Sequence, residues 1–350
     1  MEHSSAYGTT NHSATASVGL GGSKFTTNLL GRHCLSTMIR FLKHQEIDKI
    51  KWDKCIKESF NGQVYAWSWF LDIVHPGWDA LVEGEYERVF PLTTNRKFGI
   101  GYMFQPFFTQ QLGVFSHRIL NPDIISSFLK AIPEHIRFVE IRLNSHNKVD
   151  EPLYQVTHHL NHELDLINTY DKLQRKYSSN TRRNLKKANE AGLSYVKHIK
   201  PDDVIRLFRM NRGRTISHWN ENEYNRLKKL VYQAIYRGQG FVVGAYTPEN
   251  ELCTGAIFVR SHGKLVFLFS GSSPQGKELH GLTFILDSVI REHAPGHLIL
   301  DFEGSDNPGL AQFYKGFGSK QTTYPGIVIN RLPMLYRLGL KMLRRRKKQL

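Results

Sequence analysis

Two carboxylates stand at the end of a predicted strand, in the segment HLILDFEG (residues 297–304). Its apolar residues alternate with Ile299, Asp301 and Glu303, which is the period of a β-strand. Asp301 and Glu303 are therefore expected on one face, at the end of a strand, where sheets commonly form sites.

A short helix with a single lysine is predicted directly after this strand. Pro308 and Gly309 form the corner, and the apolar residues beyond it recur at the i, i+3, i+4, i+7 spacing of a helix that docks on a sheet. These residues are Leu310, Phe313, Tyr314 and Phe317. Lys315 lies off this apolar stripe. The pattern fits either a lysine aimed at a site or an anchored corner with a solvent-facing lysine.

A second candidate segment is a basic helix, YSSNTRRNLKKANEAGL (residues 177–193). Ser178 or Ser179 can cap its start, and Gly192 can end it. Its cations recur at spacings of three and four, so they form a stripe along the surface that includes Arg182, Arg183 and Lys186. Solvated helix faces usually mix charges of both signs, so a stripe with so few acids favours binding of an anion.

The segment GSSPQGKE (residues 271–278) resembles a phosphate-binding loop, GxxxxGK followed by Ser or Thr. Glu278 replaces the hydroxyl that would bind magnesium, and Pro274 removes a backbone donor. A nucleoside triphosphate site is therefore not expected. The start of the following helix can still offer N–H groups to an anion, with Gln275 and Lys277 as candidate substrate-binding residues.

Other common site types lack their key residues in this sequence. His158, His159 and His162 could suggest a metal, but the strand alternation around them separates His159 from the other two, and no carboxylate or Cys stands at metal-ligand spacing. No metal is expected. The chain also contains no GxSxG or GxGxxG motif, which argues against hydrolase and Rossmann-type dinucleotide sites.

Composition and charge restrict the class of protein further. The net charge of +16 is concentrated in two segments, since residues 331–350 carry +8 and residues 171–200 carry +7. Clustered charge attracts anionic partners. Three Cys without a CxxC pair favour a reducing, cytoplasmic setting. No apolar run approaches the roughly 18 residues of a membrane span.

The order of predicted elements indicates two units of mixed α/β structure. Residues 1–37 are rich in Ser, Thr, Gly and His without an apolar period and are predicted to be disordered. Residues 38–167 and 168–330 each read as strands with helices packed on a mixed sheet, including strands at 102–110 and 264–272 and a helix at about 221–236. Residues 331–350 form a basic, amphipathic tail, and residues 334–350 are expected to make a peripheral contact with anionic lipid.

Two of these segments resemble a known family. DFEG followed by GLAQFYKGFG, together with SSNTRRNLKKANEAGL, resembles the signature of the Fem-type peptidoglycan aminoacyl transferases and their acetyltransferase-like relatives, which contain two tandem GNAT-type domains. The likeness covers most of residues 165–330. In the N-terminal half it is looser and rests chiefly on QPFFTQQLGVF (residues 105–115).

The resemblance implies transfer of an acyl group from acyl-CoA or aminoacyl-tRNA to an amine in a cleft between the domains, with no metal. Lys315 falls on the family lysine that neutralises charge in the transition state. Asp301 and Glu303 are the nearest candidates to accept the amine proton, and Tyr314 completes the candidate catalytic set. The acceptor is expected to be cell-wall or cell-surface material.

The sequence departs from the family pattern at the GNAT pyrophosphate loop. Gln275 begins that loop, but Glu278 stands where the loop requires Gly. The alternative to an enzyme is a GNAT-like protein without catalytic activity whose basic segments hold nucleic acid, such as tRNA, or anionic lipid.

Overall fold

The computed structural model describes most of the chain beyond its N-terminal segment. The described residues are 38–97, 99–216, 219–304, 306–334 and 336. The predicted disordered extension (1–37) and nearly all of the predicted basic tail lie outside them. No helix among these residues is long and apolar enough to span a lipid bilayer.

Most of the α-helices begin with a side-chain cap or a proline in the first turn, as in α10, where the Asn307 side chain accepts hydrogen bonds from the Gly309 and Leu310 amides. In chain order they are Lys49–Glu58 (α1), Ser68–Val74 (α2), Pro122–Lys130 (α3), Tyr170–Gln174 (α4), Ser179–Glu190 (α5), Pro201–Met210 (α6), Glu221–Tyr236 (α7), Pro274–Glu278 (α8), Gly281–His293 (α9) and Pro308–Lys315 (α10).

The strands show the alternating or continuous apolar patterns of half-buried and fully buried sheet. In chain order they are Ile39–Leu42 (β1), Asp79–Glu83 (β2), Arg88–Leu92 (β3), Thr94–Lys97 (β4), Ile100–Phe104 (β5), Phe115–Ser116 (β6), Ile136–Arg142 (β7), Gln155–Asp165 (β8), Ser194–Lys197 (β9), Gly240–Tyr246 (β10), Leu252–Ser261 (β11), Lys264–Ser272 (β12), Ile299–Asp301 (β13) and Lys320–Asn330 (β14).

The described residues build one ten-stranded mixed sheet in the order β4-β5-β7-β14-β8-β13-β12-β11-β10-β9, beside a small sheet β1-β2-β3-β6. The last strand, β14, runs antiparallel to both β7 and β8 and is thus inserted between two strands of the N-terminal half, while β8 pairs on its other side with β13 of the C-terminal half. The predicted fold class, a mixed α/β sheet with packed helices, is confirmed.

Helices cover both faces of the C-terminal part of this sheet. One face carries α6 and α7 and also packs against the helices and aromatic residues of the N-terminal half, including Trp52, Phe70 and Trp78. The opposite face carries α5, α9 and α10, around Phe258, Phe302 and Phe317. A third core lies under α3 in the N-terminal half. A residue on a central strand can therefore face either of two different environments.

Several boundaries differ from the sequence predictions. The strand predicted at 102–110 ends at Phe104, because residues 105–110 turn away from the sheet. The strand predicted at 297–304 pairs only over Ile299–Asp301, since Glu303 and Gly304 both adopt positive φ. β14 was not predicted at all, because Pro325 and Gly326 interrupt its apolar pattern.

Candidate active site

Asp301 ends β13 inside a buried polar cluster. Its carboxylate is 3% exposed, and Lys264 of the neighbouring strand donates to it at 3.1 Å and to Glu163 of β8 at 2.5 Å. Burial opposes the charge on Lys264, but Asp301 and Glu163 together raise the pKa of this lysine above its ordinary value. The cluster thus holds one ammonium group between two carboxylates in the interior of the sheet.

The remaining bonds of Asp301 shape the turn that follows it. Asn161 donates to Oδ1 at 3.1 Å, and the backbone amide of Glu303 donates to the same oxygen at 2.9 Å. With Lys264, three donors therefore occupy the carboxylate. Asp301 was predicted as a proton acceptor, and the structure places it as the group that holds the turn and the lysine.

The turn at Glu303 and Gly304 has an unusual backbone. Glu303 has a φ of 56° and Gly304 a φ of 54°, both in the left-handed region that non-glycine residues rarely adopt. A Cβ at position 304 would lie 2.4 Å from the Leu160 carbonyl oxygen and 2.6 Å from Nε2 of Gln110. Left-handed non-glycine residues cost about 1–3 kcal/mol and are concentrated at functional sites.

This backbone directs the Glu303 side chain toward the N-terminal half, where the Tyr65 hydroxyl donates a hydrogen bond to it. Burial raises the pKa of Glu303 well above the ordinary glutamate value, and the negative charge of Asp301 adds to the effect, while the bond from Tyr65 opposes it. Burial and the negative charges of Glu303 and Asp301 also raise the pKa of Tyr65. Sequence analysis did not identify Tyr65, because nothing local to it indicates a partner 238 residues away.

The segment QPFFTQQ reaches the same turn through a chain of buried amides. Gln110 donates to Oδ1 of Asn161 at 3.2 Å, and Gln111 donates to Oε1 of Gln110 at 2.6 Å. Gln63 donates to Gln111 at 3.2 Å. Every amide is thus a donor in the direction of Asp301, which concentrates partial positive charge near that carboxylate.

A cavity of about 560 Å³ opens beside these amide side chains, between residues 104–109 and the strands β7, β8 and β14. Its wall includes the aromatic side chains of Phe107 and Phe108, with Arg142 and His159 as charged or titratable members. The volume is within the range of small-molecule sites.

Lys315 and Tyr314 lie on the opposite side of the sheet from Asp301. The Tyr314 ring stacks on Phe302 at 4.9 Å, and Phe302 faces away from Asp301 because strand neighbours alternate. Burial and the Glu303 charge raise the pKa of Tyr314. Lys315 is exposed at the end of α10. Burial is the main cause of the lowered pKa of His162, and the positive charge of Lys315 lowers it further.

The start of the basic helix α5 packs against the end of α10, so these two predicted motifs do meet. The Ser178 amide donates to the Gly316 carbonyl at 2.9 Å, and a Cβ at Gly316 would lie 2.3 Å from Oγ1 of Thr181. Lys315 directly precedes this contact. Ser178 also caps α5 by accepting from the Thr181 amide, as the sequence predicted.

The cations of α5 divide between two flanks of the helix. Arg182 and Lys186 line a cavity of about 440 Å³ together with Arg175, which we call the basic cavity. Arg183 instead bonds Oδ1 of Asn180 at 2.8 Å. Burial lowers the pKa of His280, and the positive charges of Lys187 and Arg183 lower it further. These two cations therefore lie toward the start of α9. The predicted stripe is therefore two separate surfaces.

The 273–281 loop, which includes the short helix α8 with Gln275 and Lys277, folds on itself. The Gly276 amide donates to Oγ of Ser273, and the amides of Lys277, Leu279 and His280 donate to carbonyls within the loop. A Cβ at Gly276 would lie 2.1 Å from the Cys253 carbonyl, so this glycine serves close packing on β11. The amides that would bind a pyrophosphate are thus mostly occupied.

Among the described residues, no three His, Cys, Asp or Glu side chains are grouped as a metal site would require. His158 bonds Glu151 at 2.9 Å, and His159 bonds Asp306 at 2.7 Å, while His162 is buried beside Tyr314. The three histidines belong to different surroundings.

The arrangement of sheet and helices corresponds to a Fem-type, GNAT-like fold. The crystal structure of FemX superimposes with a TM-score of 0.61 at 13% identity, over 83% of this chain and 98% of FemX. The C-terminal domain of a proposed lysylphosphatidylglycerol synthetase from Agrobacterium fabrum superimposes with a TM-score of 0.50 at 10% identity, over 84% of this chain and 95% of that one.

These structural similarities confirm the fold that the sequence resemblance predicted. No protein-family model and no curated protein sequence matches the chain. At such low identities the similarity establishes the fold, and the activity has to be argued from the site.

Proposed function

We propose that this protein transfers an aminoacyl or acyl group from a phosphate-bearing carrier to an amine. One observation carries the proposal: the continuous segment 301–316 connects two unlike surfaces. It begins at the Glu303 turn, beside the cavity bounded by Phe107 and His159, and ends at Lys315, beside the basic helix α5. Two substrates of different chemistry can thereby approach the same segment from opposite sides of the sheet.

The donor is proposed to lie on the α5 side. Arg175, Arg182 and Lys186 converge on the basic cavity, and guanidinium groups can meet two phosphate oxygens at once. Because the amides of the 273–281 loop are mostly bonded internally, aminoacyl-tRNA is favoured over acyl-CoA as the carrier. Gln275 and Lys277 are retained as candidate contacts for the carrier through their side chains.

The acceptor is proposed to bind in the cavity on the other side, as an amine of cell-wall or cell-surface material. Its aromatic wall and the polar groups of Arg142 and Thr109 suit a ligand with both apolar and charged parts. Glu303, whose raised pKa favours its protonated form, would hydrogen-bond and orient the acceptor at the junction with Tyr65.

Lys315 is proposed to neutralise charge on the carrier side of the donor during attack, because it lies with α5 on the side of the sheet opposite the acceptor cavity. It is exposed and adds little packing, whereas Tyr314 and Phe302 hold its helix in place. Placing a cation where charge develops is usually the largest single contribution to such catalysis.

The proposal is tested by incubating the protein with labelled aminoacyl-tRNA or acyl-CoA and a panel of amine acceptors, including cell-wall precursor peptides. Transfer of label to an amine, reduced in Lys315→Ala, is expected. Binding of tRNA or anionic vesicles without any transfer would support instead a binding protein that uses its basic surfaces to hold a polyanion.

A further inference from the structure

A histidine–aspartate pair in the acceptor cavity has no part in the site described so far. Asp306 accepts a hydrogen bond from Nδ1 of His159 at 2.7 Å through Oδ2, and from the Leu160 amide at 3.1 Å through Oδ1. Burial alone would raise the pKa of Asp306, but these two hydrogen bonds lower it below its ordinary value. Asp306 is therefore a carboxylate that fixes the proton of His159 on Nδ1.

The imidazole ring is held against β14. Tyr324, the direct cross-strand partner of His159 on β14, stacks on the ring at 5.5 Å with an interplanar angle of 26°. Two residues further along β14, Gly326 leaves space for the ring, since a Cβ there would lie 2.6 Å from Nε2. Among the described residues Nε2 has no hydrogen-bond partner, and His159 lines the cavity.

The cavity adjoins the Glu303 turn. Gly304 packs so closely on the Leu160 carbonyl and the Gln110 side chain that an added Cβ would contact both. Leu160 directly follows His159, and Gln110 directly follows Thr109; both His159 and Thr109 line the cavity. A ligand that fills the cavity thus lies next to the segment that leads to Lys315.

We propose that His159, oriented by Asp306, is the catalytic residue that takes the proton from the acceptor amine. This inference rests on the proposed function and names the group that performs one of its steps. Asp301 is occupied by three donors and Oε1 of Glu303 by Tyr65, whereas no described residue bonds Nε2 of His159.

The proposed step balances as follows. The acceptor nitrogen forms a C–N bond to the carbonyl carbon of the donor, the ester bond from that carbon to the carrier oxygen breaks, and the proton of the amine moves to Nε2. The departing carrier oxygen takes a proton from solvent, and the imidazolium later returns its own proton to solvent. Asp306 stabilises the imidazolium while it exists.

The charged and titratable groups that surround His159 come from three elements. Asp306 lies in the loop before α10, Tyr324 on β14, and Arg142 and Glu140 on β7, where both line the same cavity. Asp306 is the group among them that bonds the ring directly.

The first test is independent of turnover. In protein labelled with ¹⁵N-histidine, NMR should show a proton on Nδ1 and none on Nε2 for the resonance that disappears in His159→Gln. Asp306→Asn should reduce the preference for this tautomer. A proton on Nε2 in the wild type would overturn the proposal.

The second test measures the steady-state kinetics of transfer. His159→Gln should lower kcat by about a hundredfold, with little change in KM. Gly326→Ala, which displaces the ring, should have a smaller effect in the same direction. The matched control is His158→Gln, because His158 is exposed, bonds Glu151 and does not line the cavity.

The outcomes separate this inference from the proposed function. If the wild type transfers and His159→Gln transfers as well as His158→Gln does, His159 is not the base, although the function stands. If the wild type transfers from neither carrier to any amine, the proposed function fails and the role of His159 fails with it.

Discussion

The Tyr65 hydroxyl donates a hydrogen bond to the carboxyl group of Glu303, and this bond joins residues 238 positions apart in the chain. Tyr65 is 3% exposed within the aromatic N-terminal core, whereas Glu303 ends the turn after β13. The bond therefore couples the packing of the N-terminal half to the geometry of the candidate site. It also places a half-buried carboxyl group with a raised pKa at the point where the two halves meet.

The stability of the protein should depend on pH through Glu303. Because the pKa of Glu303 is raised above the ordinary value of 4.5, the stability it contributes is full below that pH and is lost as the pH rises through the folded-state pKa. Glu303→Gln stays neutral and can still accept from Tyr65. Its Tm should match that of the wild type near pH 4.5 and exceed it at pH 9, by about 2 °C for each kcal/mol regained.

Thermal unfolding between pH 4.5 and 9 measures this difference. The control is Glu134→Gln, which removes an exposed glutamate in the turn before β7. Parallel curves for Glu303→Gln and the wild type would show that Glu303 titrates normally.

The turn at Gly304 should tolerate no side chain. Gly304→Ala is expected to cost about 1–2 kcal/mol for the left-handed backbone, and more because its Cβ meets the Leu160 carbonyl at 2.4 Å. Gly263→Ala is the matched control, with a φ of 70° and nothing within 4 Å of the added carbon. Denaturant unfolding of both variants isolates the contact, and equal losses would mean that the turn relaxes.

Local sequence patterns were sufficient for many elements of this fold. The helix predicted at 221–236 matches Glu221–Tyr236, and the strand predicted at 264–272 matches Lys264–Ser272. The helix after Pro308 and the cap at Ser178 also formed where the sequence placed them. Each of these has an uninterrupted periodicity or a polar cap, which are properties of neighbouring residues.

The features that the sequence did not reveal depend on distant contacts. β14 has Pro325 in its middle, and it is a strand because β7 and β8 supply partners on both of its sides. The alternation in HLILDFEG correctly separated Asp301 from Phe302, but it could not show that Lys264 would occupy Asp301. Tyr65 and His159 were missed as site residues because their partners, Glu303 and Asp306, lie far away in the sequence.

Replacement of Lys315 should separate catalysis from folding. Lys315→Ala removes an exposed side chain at the end of α10, so Tm should change little while transfer falls by about a hundredfold, which corresponds to roughly 3 kcal/mol. Lys320→Ala removes another exposed cation five residues later, at the start of β14, and should retain activity. Comparable rates for the two variants would assign Lys315 to the solvated surface.

The two arginines at the start of α5 should differ in their effect on the donor. Arg182 shares the basic cavity with Arg175 and Lys186, so Arg182→Ala should raise KM for the phosphate-bearing donor about tenfold with little change in kcat, as the loss of about 1.4 kcal/mol of binding would do. Arg183 bonds Asn180 on the other flank, so Arg183→Ala should leave KM nearly unchanged.

Steady-state kinetics at two salt concentrations test this assignment. The KM of the wild type should rise more steeply with salt than that of Arg182→Ala, because the variant makes fewer phosphate contacts. A larger rise in KM for Arg183→Ala would place the carrier instead on the flank that faces His280 and the start of α9.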